Sequence, residues 1–491
     1  MKDEMPTAFP DDSHDFAASP CPRILWLELT STCPFACIFC SRRLRRGAGE
    51  HLDFNLYKSI IRDLEDPEII RLNYAGESLH YPQLVEAIKL AKETGAETEL
   101  TTAFSSASGA VLRRLVGSGL DRLIISLHTL RADQFKEIYR FSCLEDMQDR
   151  IAGLVRIKEE LGVRTPLLEF AFVAMKANLP ELAKLSRYAR EIGVAVISVF
   201  PVVQRDPIPM EFPDELEGCR LRDGFMREIH SAALLAGQAA EGIDIRICNP
   251  DPETGRQLGR LPVSFPEALP RSARIRTCPQ NPWETAHILA DGTIVPCEVH
   301  DREVLGNLRR QNLRAIWQGD AYRTFRRRYA AGELAACRDC PWKWAYLPAP
   351  LAPRLRAADG ESAQVFRGWH DYEASGTLWS KKEAVVLLGQ LPSANAVRLS
   401  GVLPPSLEGD ANHLEVSCNG SVLGTIINPT NELISFHSCL GPLPECSGAF
   451  TFVLKTRTLF RPARTGLGDQ RSLGFALFSI ELIKTTQMRG V

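Results

Sequence analysis

Three cysteines, Cys33, Cys37 and Cys40, fall within LTSTCPFACIFCSRR (29–43), and Phe39 directly precedes the last of them. A four-iron cubane in an electron-transfer protein normally takes one Cys thiolate per iron, so three thiolates leave one iron open to another ligand. A second set, Cys278, Cys297, Cys337 and Cys340, supplies four thiols. Between the first two of these, HILADGTIVP alternates apolar residues around Asp291-Gly292, a hairpin signal that returns the chain to its start. CRDC then adds two thiols at metal-site spacing. Four thiolates also suit zinc, and the residues alone leave zinc and an iron–sulfur cluster both open.

The elements that must hold these thiols alternate in type. ILWLELT (24–30), IIRLNYAG (69–76), ETELTTA (97–103), LDRLIISLH (120–128), LLEFAFVAM (167–175) and VAVISVFPVV (194–203) read as strands. Amphipathic helical patterns lie between them. NLYKSIIRDL puts Leu56, Ile60, Ile61 and Leu64 on one face with Asn55 as expected N-cap. NLPELAKLSRYAREIG has Asn178 and Glu181 at capping-box spacing and Gly193 as a stop. Such alternation predicts a parallel sheet, either an α/β barrel or a doubly wound sheet. The first cysteine set follows a strand at its carboxyl end, where α/β barrels carry their chemistry. A long helix is expected around 214–240 and a strand at IDIRIC, before a Pro-rich boundary from 249 to 282. Beyond AYLPAPLAPRLRAADGES the runs become short and β-patterned. HLEVSCNGSVLGTIIN carries Asn419-Gly420, a type I′ hairpin signal, and the C-terminal part is expected to be a β-sandwich.

The 491 residues are enough for about three domains. A hydrophobic fraction of 45% and a charged fraction of 24% exclude a chain dominated by disorder. The net charge of −2 gives no general attraction to nucleic acid or anionic lipid. The runs RRLRR (42–46) and RTFRRRY (323–329) read as solvated faces. The acidic, Pro-broken start has no apolar core of a secretory signal, and no run nears the ~18 apolar residues of a membrane span. A cytoplasmic protein with no membrane span and no nucleic-acid partner is expected, and in a reducing compartment clustered thiols mean metal.

CxxxCxxC with an aromatic before the third Cys resembles the radical S-adenosylmethionine (radical SAM) superfamily. The resemblance implies a partial (β/α)6 barrel, a [4Fe-4S] cluster on Cys33, Cys37 and Cys40, and S-adenosylmethionine on the open iron. It further implies reductive cleavage of that cofactor to a 5′-deoxyadenosyl radical, with electrons from a donor such as flavodoxin or ferredoxin. YAGES (74–78) resembles the family's GGEP-type segment, which makes Ala75, Gly76 and Glu77 candidate cofactor contacts beside Phe39. LDRLIISLH resembles the fourth-strand SLDG signature through Ser126, with His128 where Asp is usual. Val173 and Asn178 lie where the family holds adenine and ribose. The second set, C-x13-G-x4-C followed by LGNL, Trp317 and CxxCP, resembles the SPASM/twitch extension. With three of the seven SPASM cysteines missing, it implies one auxiliary [4Fe-4S] cluster fully ligated by protein.

The expected organisation is an N-terminal tail (1–22), a radical SAM core barrel (23–248), a small α+β twitch-like module (249–345), a linker (346–365) and an all-β sandwich (366–491). Cys21, Cys143, Cys219, Cys248, Cys418, Cys439 and Cys446 have no assigned role, and buried free thiols are commonly small hydrophobes. Because radical epimerases use a thiol to return hydrogen, Cys143 and Cys248 are candidate hydrogen donors. The leading expectation is oxidation or epimerisation of a sugar or glycan, from the single auxiliary cluster and a C-terminal sandwich that resembles β-domains appended to some bacterial glycosyltransferases, with Trp369 and Trp379 read either as sugar-stacking surfaces or as core residues. The alternative is modification of a peptide or protein, and a third is a binding or scaffold protein with structural clusters.

Overall fold

A computed structural model describes residues 19, 21–40, 42, 49–202, 223–248, 273–298, 303–340, 342–346, 350–360, 362, 364–373, 375–406, 411–446, 448–462 and 471–485. Cys219 and the start of the helix expected around 214–240 lie outside them. The rest of that helix spans Asp223–Ala239.

Strands β1 (Ile24–Leu27), β2 (Ile69–Arg71), β3 (Glu97–Thr102), β4 (Arg122–Ser126), β5 (Leu167–Ala174), β6 (Val196–Pro201) and β7 (Asp244–Ile247) pair in parallel, each with the next in sequence. A doubly wound sheet would reverse direction at a switch point. Without a reversal, the sheet curls as a partial barrel. One row of alternating residues is fully buried: Leu25, Ile70, Leu100, Leu123, Phe170 and Ile197. The opposite row, one residue along in most strands, is polar and faces the barrel interior.

Strand β8 (Arg274–Thr277) leads into β9 (Thr285–Ile288), which pairs parallel to β1, and β10 (Thr293–Val295) and β11 (Gly306–Asn307) extend the same sheet antiparallel. The second cysteine module is therefore built on the first edge of the barrel sheet. Its expected hairpin forms: Gly292 has φ +82° and donates its N–H to the Leu289 carbonyl at 2.9 Å. Strand β12 (Trp344–Tyr346) closes back on β8.

The C-terminal strands β13 (Arg354–Arg356), β14 (Val365–Tyr372), β15 (Leu378–Leu388), β16 (Ala396–Leu403), β17 (Asn412–Cys418), β18 (Ser421–Asn428), β19 (Ile434–Leu440), β20 (Phe450–Thr456) and β21 (Ala476–Ile483) form one antiparallel nine-stranded sheet. It folds over its own core until the edge strands meet, with Gly424 of β18 against Leu440 of β19. Asn419 and Gly420 have φ +48° and +80°, as a type I′ turn requires. Trp369 belongs to this core: it is buried, packs on Phe475 and donates its indole N–H to the Val385 carbonyl at 3.0 Å. It offers no sugar-stacking face. The sheet docks on the rest of the molecule through Lys381–Glu284 (2.7 Å), Lys382–Asp66 and Phe366 against Trp283.

Two expected caps differ. The helix Phe54–Arg62 is capped by Asp53, whose carboxylate accepts the Leu56 N–H at 2.8 Å, instead of by Asn55. Asn178 caps nothing, because its side chain turns inward to the ends of β4 and β5.

Candidate active site

The loop after β1 carries Cys33, Cys37 and Cys40, and none of the three is in a disulfide. It is pinned to the C-terminal end of helix Ala132–Tyr139 by Ala36 N–H to the Tyr139 carbonyl (3.1 Å) and Ile38 N–H to the Ile138 carbonyl (3.0 Å). Phe39 packs edge-on against His128 (5.1 Å), which stacks on Tyr139 (5.2 Å). Burial pushes the Cys33 thiol up to about 11 and, with Cys40 and Cys33 nearby, raises Cys37 further. Such thiols stay protonated at neutral pH, and a metal binding them must displace those protons. The three thiols lie close enough on one half-buried loop to act on one another electrostatically, and three thiolates are a donor set that suits three irons of one cubane.

The segment after β2 closes on this loop. A Cβ at Gly76 would lie 1.8 Å from the Thr30 carbonyl oxygen, so only glycine fits, and Glu77 N–H donates to the Thr32 carbonyl at 2.8 Å. The fully buried Glu77 carboxylate accepts the Thr102 hydroxyl (2.6 Å), the Ala103 N–H (2.8 Å) and the Leu79 N–H (3.2 Å). Burial raises its pKa, and those three donors oppose the rise. Glu77 thereby ties the end of β3 to the cysteine loop, and Ala75 and Gly76 form the backbone edge beside it.

At the ends of β4 and β5, Asn178 is completely buried. Its amide donates to the His128 and Val173 carbonyls (both 2.9 Å), and its oxygen accepts the Met175 N–H (2.8 Å). Both amide hydrogens are thus spent inside the protein, which makes Asn178 a positioning residue for Val173. Burial drives the His128 pKa down to about 3, and the neutral ring accepts the Val173 N–H at Nδ1 (3.1 Å). Ser126, half-buried at the end of β4, accepts the Tyr139 hydroxyl at its carbonyl (2.7 Å). Asn178→Ala would strand three buried backbone groups, so it is expected to lower unfolding free energy by roughly 3 kcal/mol or more, read from denaturant melts.

Inside the barrel, neighbouring side chains in register form a belt: His287, Trp26, Arg71, Glu99 and Arg122. Trp26 stacks on His287 (5.9 Å), Arg71 lies over Trp26 (4.7 Å) and pairs with Glu99 (2.6 Å), and Arg122 pairs with Glu169 (3.0 Å). Glu169 accepts the Ser198 hydroxyl, and Ser198 contacts the Cys248 thiol. Cys248 therefore faces the interior, whereas Cys143 is buried at the start of helix Leu144–Leu161 among core side chains.

The second set meets as expected. Cys278, Cys297, Cys337 and Cys340 line one hollow with Tyr329 and Lys343. Among the described residues no three His, Cys, Asp or Glu side chains converge as ligands of one ion. Four cysteines on one hollow are a donor set that suits a metal centre. Burial pushes the Cys278 thiol up to about 12. Lys343 lines this hollow, and Arg326 is completely buried over Trp317 (4.3 Å) and Tyr322 (4.7 Å). The run RTFRRRY is therefore not wholly a solvated face.

Family models match the chain in two places: the radical SAM superfamily over residues 27–165, and SPASM, an iron-sulfur cluster-binding domain, over 278–341. The chain is a radical SAM enzyme with a SPASM domain. Its cofactors are accordingly a main and an auxiliary [4Fe-4S] cluster and S-adenosylmethionine. Among curated relatives of this radical SAM protein, a tungsten-containing aldehyde ferredoxin oxidoreductase cofactor-modifying protein of Pyrococcus furiosus is 23% identical over 336 residues, covering 65% of this chain and 87% of its own. The PqqA peptide cyclase of Ruegeria pomeroyi is 26% identical over 338 residues, covering 65% and 80%. Among solved structures, Streptococcus suis SuiB bound to precursor peptide SuiA matches with TM-score 0.49 and 15% identity over 62% of this chain and 67% of that one. No helix among the described residues is long and apolar enough to cross a membrane.

Proposed function

We propose that this radical SAM enzyme modifies a peptide, removing hydrogen from a substrate C–H and forming a new bond or unsaturation there. The observation that carries the substrate class is the repeated similarity to PqqA peptide cyclases, which in three organisms extends over 65–66% of this chain. This is preferred to the sugar or glycan expected from the single auxiliary cluster and the C-terminal sandwich. No relative described here is named for a sugar.

Bound at Cys33, Cys37 and Cys40, the main cluster with S-adenosylmethionine supplies a 5′-deoxyadenosyl radical that takes a hydrogen atom from the substrate. The chain's own residues place and enclose the reaction. Phe39, the backbone of Ala75 and Gly76, Ser126 and Val173 border the cofactor, while Glu77, His128 and Asn178 hold those borders in place. The Trp26–Arg71–Glu99–Arg122 belt lines the barrel interior with paired side chains. Cys278, Cys297, Cys337 and Cys340 would hold the auxiliary cluster, and an electron donor of flavodoxin or ferredoxin type would supply the main one.

The test is to incubate anaerobically reconstituted enzyme with S-adenosylmethionine, reductant and short peptides encoded beside its gene. The expected product is a peptide lighter by two hydrogens with 5′-deoxyadenosine in equal amount. Unmodified peptides, together with a sugar that turns over, would overturn the peptide reading. Epimerisation has one observation in its favour, the inward-facing Cys248 thiol. A product of unchanged mass with one inverted centre, lost in Cys248→Ala while 5′-deoxyadenosine persists, would select it.

A further inference from the structure

Lys343 lies three residues beyond Cys340, and its side chain lines the hollow shared by Cys278, Cys297, Cys337 and Cys340. It is 4% exposed, and its ammonium donates to the Cys340 carbonyl at 2.9 Å. A cubane held by four thiolates is dianionic when oxidised and trianionic when reduced. A buried cation at its edge stabilises the trianion more than the dianion, and net charge with hydrogen bonding around the sulfurs sets the potential of such clusters.

We propose that Lys343 sets the reduction potential of the auxiliary cluster, raising it so that the site accepts an electron. This rests on the reading of Cys278, Cys297, Cys337 and Cys340 as that cluster's ligands. Lys343 is a positioning residue of charge: it touches no substrate and contributes no ligand. Held by Cys278, Cys297, Cys337 and Cys340, the auxiliary cluster would supply a one-electron acceptor for the reaction proposed above, and the Lys343 charge would make that acceptance more favourable. Lys343 acts through charge alone, so arginine should substitute for it and a neutral side chain should not.

The experiment uses the full chain with Cys33→Ala, Cys37→Ala and Cys40→Ala, which retains only the second thiol set. After anaerobic reconstitution, iron is counted and an EPR redox titration is run on this protein and on its Lys343→Met and Lys343→Arg variants. About four irons per chain in all three samples establish that the site is loaded. Lys343→Met is then expected to lower the reduced-to-oxidised ratio at fixed potential about tenfold, which is about 59 mV for one electron, while Lys343→Arg stays near the parent. Equal potentials in the parent and Lys343→Met, with iron loaded, would overturn the role of Lys343. Absence of iron from the parent would instead overturn the ligand assignment. If only Lys343→Met fails to load, Lys343→Gln replaces it, and the same potential comparison decides.

Discussion

Replacing Cys37 by Ala is expected to lower the iron content of the reconstituted protein from about eight to about four atoms per chain and to abolish 5′-deoxyadenosine formation. Cys37 is the middle thiol of its loop, and Cys33 and Cys40 both act on it electrostatically. Two remaining thiolates cannot hold three irons of a cubane with one left open. The second set is built from different elements, β8 to β12 and the helix Ala335–Asp339, so it should load unchanged. The converse variant, Cys337→Ala, should lose the other four irons while leaving reductive cleavage at the first site intact. Iron analysis and chromatography of the quenched reaction check both. Retention of eight irons in Cys37→Ala would remove it from the ligand set.

Gly76→Ala is expected to have the second large effect, on folding as well as chemistry. The new methyl would lie 1.8 Å from the Thr30 carbonyl and 2.6 Å from its carbon, and these are backbone atoms of the strand end that launches the cysteine loop. A flexible side chain could move aside, but this backbone is held by Thr30 pairing with His51 and by Glu77 N–H on the Thr32 carbonyl. Forcing the two segments apart should cost about 3 kcal/mol or more, at the upper end of overpacking, and lower the melting temperature by several degrees. Loading of the first cluster should fall with it, because the loop loses its wall. Gly95, where a Cβ would meet nothing, is a control limited to the strain of its positive φ.

Much of this was legible because chemistry and topology leave period and spacing in a sequence. The cysteine triplet, the second set and both hairpins come from local spacing, and the strand alternation gave the parallel sheet. The choice between barrel and doubly wound sheet was not local, since it depends on which strands become neighbours. Sequence periodicity is blind to that. Asn178 misled as an N-cap for a related reason: its spacing to Glu181 is right, but two carbonyls and an N–H at the ends of neighbouring strands claim its amide. Trp369 looked available for a sugar because burial in a sheet core cannot be told from exposure on one face of a single strand.

The interior belt has a partial signal in the sequence: Glu169 interrupts an otherwise apolar strand, and Arg71 and Arg122 stand at the ends of apolar runs, as charged residues facing the lumen of a barrel do. Lys343 and Arg326 had no comparable signal. Their charges read as surface until the fold buried them.

The measurement that tests the central claim most directly is the anaerobic reaction of wild-type protein carrying both clusters with S-adenosylmethionine, reductant and the peptide panel. 5′-Deoxyadenosine and methionine formed in equal amounts, with peptide losing hydrogen in step, is the predicted result. S-adenosylmethionine left intact while EPR shows both clusters reduced and every peptide present would contradict it.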